Sequence, residues 1–284
     1  MTRGDCAAEP PRGIPAATAS QRKGRGTAGL GYDRYYRELE AETERLAAAV
    51  SDAYLNSPVP TCPEWTLRQL VEHLGQAHRW AAGMIERRAT APEPMDREEA
   101  PAQARPCRAW LMAGARRLAA AVRECGPDTA VWTWRANRTS GFWLRKLVHD
   151  GLVHRLDAEL TIGRDGPVPT DLAADGVTDL LQSVEALSPP GTADPVFVGL
   201  CGNGQTLHFH ATDPGLGAAG EWLVRRTPAG VSWQHRHGTA DVTVRGTARG
   251  LLLVLNRRIR PDLGGIEVVG AVNLFAHWLD HSAF

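Results

Sequence analysis

Residues 149–157 read HDGLVHRLD and lie in a proline-free segment, 142–160, that has the pattern of a long helix. Asp150 and His154 are four residues apart, so a helix would place both side chains on one face. A carboxylate and an imidazole at this spacing can bind one divalent metal ion, although such pairs more often form only a surface hydrogen bond. The segment therefore predicts a helix that can contribute two ligands to a metal site.

A metal ion at this pair would need a third ligand from another part of the chain. His73, in the helical pattern 67–88, is the best candidate, although it could instead be a core-edge histidine on an apolar stripe. Two other histidines compete with it. His78 follows His73 by five residues and does not share its face, and His149 points about 100° away from Asp150 around the helix. Three protein ligands would leave coordination positions open, and an open site can activate water, a thiol or a carbonyl group.

Periodicity predicts four helices in the first half of the chain, at 32–52, 67–88, 107–124 and 142–160. Proline-rich segments at 57–63 and 89–106 separate the first three, and Gly126-Pro127 ends the third. Four helices joined by turns, with candidate ligands on two of them, indicate a helical bundle with a site in its core.

The second half of the chain alternates helical and extended patterns after a linker at 163–169. Helices are predicted at 171–186, 247–256 and 273–279, and strands at 195–198, 205–210, 221–226, 230–235, 240–245 and 266–269. The first 28 residues have no periodicity and are interpreted as a disordered leader. The predicted fold class is α+β, with a leader at 1–28, a helical domain at 29–162 and an α/β domain at 163–284.

The overall composition narrows the choice of partners and location. The chain has 284 residues, a formal charge of zero and an isoelectric point near 7.2, which argues against nucleic acid or an anionic membrane as a partner. The sequence has no run of 18 apolar residues, so no membrane span is predicted. Five cysteines without a C-x-x-C motif, and no signal peptide, indicate a reducing cytoplasm.

The second half also contains two histidine pairs with strand-like alternation. His208 and His210 would face the same side of a strand, where they could bind a metal ion or a carboxylate. They could instead form an exposed polar face beside Asp213. His235 and His237 repeat the spacing and leave the same choice open.

Two segments resemble the mycothiol-dependent maleylpyruvate isomerase family. Residues 59–75, VPTCPEWTLRQLVEHLG, are similar to the entry to its second helix, approximately V-P-x-C-P-x-W-x-x-x-x-L-x-x-H-L. Residues 143–158, WLRKLVHDGLVHRLDA, are similar to its fourth helix, approximately R-x-x-x-H-E-x-x-x-H-R-x-D-A. In that family the histidine of the first motif and the glutamate and final histidine of the second bind the metal, which implies His73, Asp150 and His154 as ligands here. Aspartate replaces the usual glutamate at Asp150, and its oxygens reach about 1.3–1.5 Å less far.

The resemblance also implies a fold and an activity. The fold would be a DinB-like four-helix metal-binding bundle followed by a smaller, sterol-carrier-like α/β domain. The activity would use a divalent metal, zinc being the first choice, and mycothiol as thiol cosubstrate. The thiol would attack a small electrophile, giving either isomerisation or S-transfer. The alternative is a non-catalytic ligand-binding or regulatory protein with a structural metal. The motifs assign no catalytic or mycothiol-binding residue.

Overall fold

The computed structural model describes residues 29–191 and 195–282, which form two compact units. The first unit ends at Pro167 and the second begins at Val168, a few residues after the predicted 162/163 boundary. The leader predicted at 1–28 lies outside the described residues. No helix in the described ranges is long and apolar enough to cross a membrane.

Four long helices build the first unit: α1 (Tyr32–Ala49), α2 (Leu67–Glu86), α3 (Ala104–Cys125) and α4 (Ser140–Thr161). They confirm the four helices that periodicity predicts, with ends that differ by a few residues. Helix α1 packs against α3 and α4, and α2 packs against the same two helices. The face of α4 that carries Asp150 and His154 is therefore enclosed by other helices.

A short hairpin before α2 was not predicted. Strand β1 (Pro58–Val59) pairs antiparallel with β2 (Cys62–Thr66), in the segment that the prolines mark as a turn. Thr66 then caps α2, because its hydroxyl accepts a hydrogen bond from the Gln69 amide while the Gln69 side chain accepts one from the Thr66 amide. The hairpin thus leads directly into the helix that contains His73.

A buried arginine fixes the rotation of α4 against α1. Arg155 is fully buried, and its Nε donates to Glu42 Oε2 at 2.8 Å. Its Nη1 donates to Glu159 Oε2 at 2.7 Å, and its Nη2 donates to the Pro167 carbonyl at 3.0 Å. Removing one partner of such a buried charge typically costs about 3–5 kcal/mol. The neighbouring His154 is therefore presented from a firmly held helix.

The second unit combines helices with one mixed sheet. Its helices are α5 (Thr170–Leu187), α6 (Pro195–Val198), α7 (Ala248–Leu255) and α8 (Val272–His281). Its strands are β3 (Thr206–Ala211), β4 (Glu221–Thr227), β5 (Gly230–Gln234), β6 (Val242–Gly246) and β7 (Glu267–Gly270). The sheet order is β5-β4-β3-β6-β7, in which only β3 and β6 are parallel neighbours. The mixed helix-and-sheet class is as predicted.

One predicted strand is wrong. Residues 195–198 form the single helical turn α6. Phe197 is buried while Val196 and Val198 are about half exposed, so the burial alternates as it would in a strand. The Leu200 amide donates to the Phe197 carbonyl at 3.0 Å, so a further turn follows α6 directly. The segment forms local hydrogen bonds and not strand pairs, because it has no partner strand in the described sheet.

Candidate metal centre

Helices α2 and α4 bring together the three side chains that the sequence selects. One donor atom each from His73, Asp150 and His154 lies within 4.8 Å of the other two, a looser bound than the about 4 Å expected from ligand distances. His154 Nε2 is 3.9 Å from Asp150 Oδ1. The His73 and His154 rings meet edge to face, with centroids 5.1 Å apart. The arrangement is two imidazole nitrogens and one carboxylate oxygen around a common point.

The other ring nitrogen of His154, Nδ1, forms a hydrogen bond with Asp157. His154 Nδ1 lies 3.2 Å from Asp157 Oδ2, and Asp157 is fully buried. When the imidazole donates through Nδ1, the lone pair of Nε2 is left on the side of Asp150. A carboxylate behind a metal-binding histidine commonly fixes the ring and raises its basicity.

The hairpin before α2 supports this arrangement from outside. Thr61, in the turn between β1 and β2, donates from Oγ1 to Asp157 Oδ1 at 2.6 Å. Trp65, in β2, packs its ring against His73 with centroids 5.0 Å apart. Sequence reasoning missed Thr61, since nothing in its local pattern points to a partner 96 positions away.

The charge of the cluster favours a bound cation. Burial raises the pKa of Asp150, but nearby positive groups, chiefly His154 and Lys146, bring the pKa below its ordinary value. The carboxylate is therefore ionised at neutral pH and provides a full negative charge in a largely enclosed place. An ionised carboxylate with two imidazoles is a donor set typical of zinc and similar divalent ions.

Neither competing histidine belongs to this cluster in the described ranges. His149 is buried and packs its ring edge to face against Tyr35, at 6.2 Å between centroids. His78 is fully buried further along α2. His73, the third ligand that the sequence favours, is thus the histidine that joins Asp150 and His154 in the cluster.

Four tryptophans of the first unit pack against each other. Trp143 contacts Trp80, Trp132 and Trp134, with ring centroids 5.0–6.3 Å apart, in the core of the first unit. Trp65 is different, because it contacts His73. Trp65 therefore lies beside a candidate ligand, whereas the other four tryptophans pack together.

These features define a two-unit α+β protein whose helical unit contains a His-Asp-His cluster. The protein-family model described as "Mycothiol maleylpyruvate isomerase N-terminal domain" matches residues 36–159. The family model for the C-terminal domain of the same enzyme matches residues 171–277. The chain belongs to the mycothiol-dependent maleylpyruvate isomerase family.

Solved structures are similar to this chain over most of its length. One is a crystal structure of the mycothiol-dependent maleylpyruvate isomerase, and another is of a single-residue mutant of it, with TM-scores of 0.53 and 0.54. Each is 16% identical in sequence, and the match covers 84% of this chain and 93% of the other. At that identity the likeness establishes the fold. No curated protein sequence matches this chain.

Proposed function

We propose that this protein is a metal-dependent enzyme that uses mycothiol to attack a small electrophilic substrate. The observation that carries the proposal is the convergence of donor atoms from His73, Asp150 and His154. Two nitrogens and one carboxylate oxygen suit zinc, and three protein ligands are the number typical of catalytic zinc sites, which keep a position open. Membership of a family named for a mycothiol-dependent isomerase supports the thiol as cosubstrate.

In this mechanism the three side chains would hold the metal, and the surrounding residues orient them. Asp157 accepts from His154 Nδ1 and Thr61 donates to Asp157, so the imidazole cannot rotate away from the site. Asp150 contributes the negative charge. A bound zinc ion would supply thiol activation, because a free thiol with a pKa near 8.5 is only a few per cent ionised at pH 7 and coordination deprotonates it.

Two reaction outcomes fit this chemistry. In the first, thiolate adds to a carbon–carbon double bond conjugated to a carbonyl and gives an enolate, rotation occurs about the former double bond, and the double bond re-forms as thiolate is expelled, which gives the other geometric isomer. In the second, the carbon–sulfur bond persists and the thiol is transferred to the electrophile. Isomerisation regenerates the thiol, whereas S-transfer consumes one equivalent, so measuring free thiol during turnover distinguishes them.

We also propose that the first unit is a DinB-like four-helix bundle and the second a sterol-carrier-like domain. The mutual packing of α1 and α2 against α3 and α4 supports the bundle. The single five-stranded sheet with helices supports a small α/β domain. In this proposal the metal site belongs to the bundle alone, since all three candidate ligands come from α2 and α4.

A cytoplasmic location is part of the proposal. Cys107, Cys125 and Cys201 are free thiols, which supports a reducing compartment, whereas Cys62 is disulfide-bonded, which opposes it. Thiols trapped by an alkylating reagent during denaturing lysis of intact cells provide the test. Alkylated Cys62 supports the cytoplasm, and Cys62 that reacts only after reduction argues for an oxidising compartment.

The decisive experiment combines metal analysis with a thiol titration. We expect the purified protein to contain zinc or a similar ion, to bind mycothiol, and to turn over an electrophilic substrate only when both are present. His154→Ala should lose this metal and the activity together. His149→Gln is the matched control, because it removes the neighbouring α4 histidine that lies outside the cluster and should leave both intact.

The non-catalytic alternative predicts a different result. A ligand-binding protein with a structural metal would stay folded as His154→Ala and keep its ligand affinity. Full activity of the chelated, metal-free protein would refute the proposed mechanism while leaving the fold unaffected.

A further inference from the structure

The second unit contains another set of converging imidazole and carboxylate groups. Strands β3 and β4 pair antiparallel so that His210 lies opposite Glu221, and these two side chains therefore share a face of the sheet. Alternation along β3 places His208 on the same face. Two histidines and one glutamate thus meet at the start of β4.

A third histidine comes from the segment that follows β5. His235 Nδ1 lies 3.0 Å from the backbone carbonyl of Glu221, which holds this segment over the sheet face. Two residues later, His237 Nδ1 lies 3.2 Å from Glu221 Oε1. The His237 ring stands edge to face against His208, with centroids 5.0 Å apart. Glu221 is therefore approached from the sheet and from the segment above it.

Two of the donor separations in this cluster match those expected around a shared metal ion. With ligand distances of about 2.1 Å, neighbouring donors on a tetrahedral ion lie about 3.4 Å apart. His237 Nδ1 and His210 Nε2 are 3.2 and 3.5 Å from Glu221 Oε1. One donor atom each from His208, Glu221 and His237 lies within 4.8 Å of the other two. His208 Nε2 is closer still to Glu221, at 2.5 Å, and would move outward to admit an ion.

The alternative interpretation, an exposed polar face beside Asp213, does not fit His208. His208 is only 2% exposed. Asp213 instead accepts a hydrogen bond from the Ala248 amide at the start of α7, at 2.6 Å. A buried imidazole with a carboxylate and further imidazoles is unlike a solvated surface strip. His237, whose side chain is 74% exposed, leaves the cluster accessible to ions from solution.

We propose that His208, Glu221 and His237 form a second metal site, with His210 as a fourth ligand, for a divalent first-row transition ion such as zinc. Imidazole-rich donor sets favour these ions over magnesium and calcium, which prefer oxygen ligands. Four protein ligands would close the coordination sphere, as in structural zinc sites. The ion would clamp the segment after β5 onto the β3–β4 face, without a role in the chemistry proposed for the first unit.

The test is a zinc titration of the full chain, prepared without a polyhistidine tag and stripped of metal, in competition with a chromophoric chelator. Wild type should bind two equivalents, and His237→Ala should bind one. Glu221→Gln keeps the shape and one acceptor oxygen but loses the charge, so its second equivalent should weaken by more than the 10–100-fold seen for lost outer-shell partners. Cobalt(II) in the second site should give the visible absorption of a tetrahedral ion.

Controls separate this site from the first. His281→Gln removes a histidine of the same unit, on α8, whose ring lies outside this cluster and contacts the His277 carbonyl, and it should keep both equivalents. His154→Ala should lose one equivalent and retain the one that His237→Ala loses, which would support the second site even if the proposed enzymatic function failed. Undiminished zinc binding by both His237→Ala and Glu221→Gln, or wild-type binding that vanishes entirely in His154→Ala, would overturn the proposal.

Discussion

His154 and Asp157 are joined through Nδ1 and Oδ2 at 3.2 Å, one turn apart on α4, while His154 Nε2 faces Asp150. Each of the two nitrogens of the His154 imidazole thus faces a different carboxylate, Asp157 at Nδ1 and Asp150 at Nε2. Asp157 is fully buried and also accepts from Thr61, so its position does not depend on a bound ligand. The chain therefore orients the candidate ligand in advance, and the two aspartates should differ in what they contribute.

Asp157→Asn should leave zinc bound at the first site but weaken its affinity by about 10–100-fold, because the ring loses its charged acceptor and not its place in the cluster. The measurement is chelator competition in the His237→Ala background, so that only this site is titrated. Thr61→Val, which removes the hydrogen bond to Asp157, should shift affinity in the same direction by less. Complete loss of zinc from Asp157→Asn would show that Asp157 is itself a ligand.

Asp150→Glu should tighten zinc binding at the first site. Asp150 Oδ1 is 3.9 Å from His154 Nε2, which exceeds the separation of about 3.4 Å expected for two donors on a tetrahedral ion. One additional methylene extends the carboxylate by about 1.3–1.5 Å and allows closer approach. The same titration measures it, with Asp150→Asn as the uncharged control that should bind weakly. A weaker site in Asp150→Glu would show that α4 already lies close enough for aspartate.

Two helical glycines should respond oppositely to alanine. A Cβ on Gly75 would lie 2.1 Å from the Trp110 ring, which Arg79 covers at 3.9 Å and Glu98 fixes through the indole nitrogen. Gly75→Ala should therefore lower the free energy of unfolding by about 1–3 kcal/mol. A Cβ on Gly151 meets only Leu74 at 3.9 Å, so Gly151→Ala should raise it by about 0.5–1 kcal/mol. Urea unfolding of both variants checks the pair, and equal effects would contradict the packing argument.

The three candidate ligands of the first unit could be selected from the sequence because the patterns that indicate them are local. The spacing of Asp150 and His154 needs only a helix, and the helix follows from a proline-free apolar segment. His73 was chosen among histidines by the face that it occupies on its own helix. The motif resemblance selected the same three residues independently.

The remaining contacts depend on long-range pairing that local patterns do not encode. Thr61 reaches Asp157 across 96 positions, through a hairpin whose strands are too short to show alternation. Glu221 meets His210 only because of the register between β3 and β4, which the connection between them does not specify. Glu221 is thus a partner of His210, a residue that the sequence had already singled out.

The buried side chain of His78 should make the first unit less stable at acidic pH. It is fully buried on α2, and neither ring nitrogen has a hydrogen-bond partner within the described part of the chain. Burial lowers its pKa to about 3, although the charge of Asp150 opposes the shift. The unfolded chain keeps the ordinary value near 6.5. Stability associated with neutral His78 is therefore fully present above pH 6.5 and is lost as pH falls towards 3, because only the unfolded chain takes up the proton.

His78→Leu should flatten this pH dependence. Between pH 7.5 and 5.0, wild type should lose about 2 kcal/mol more of its free energy of unfolding than the variant, at 1.36 kcal/mol per pH unit below the unfolded pKa. Leucine also removes two unpartnered polar atoms, so the variant should be no less stable at pH 7.5. Urea unfolding at both pH values, with chelator present so that protonation of His73 and His154 is common to both proteins, measures the difference. Parallel loss of stability in the two proteins would show that His78 takes up its proton in the folded state as readily as in the unfolded chain.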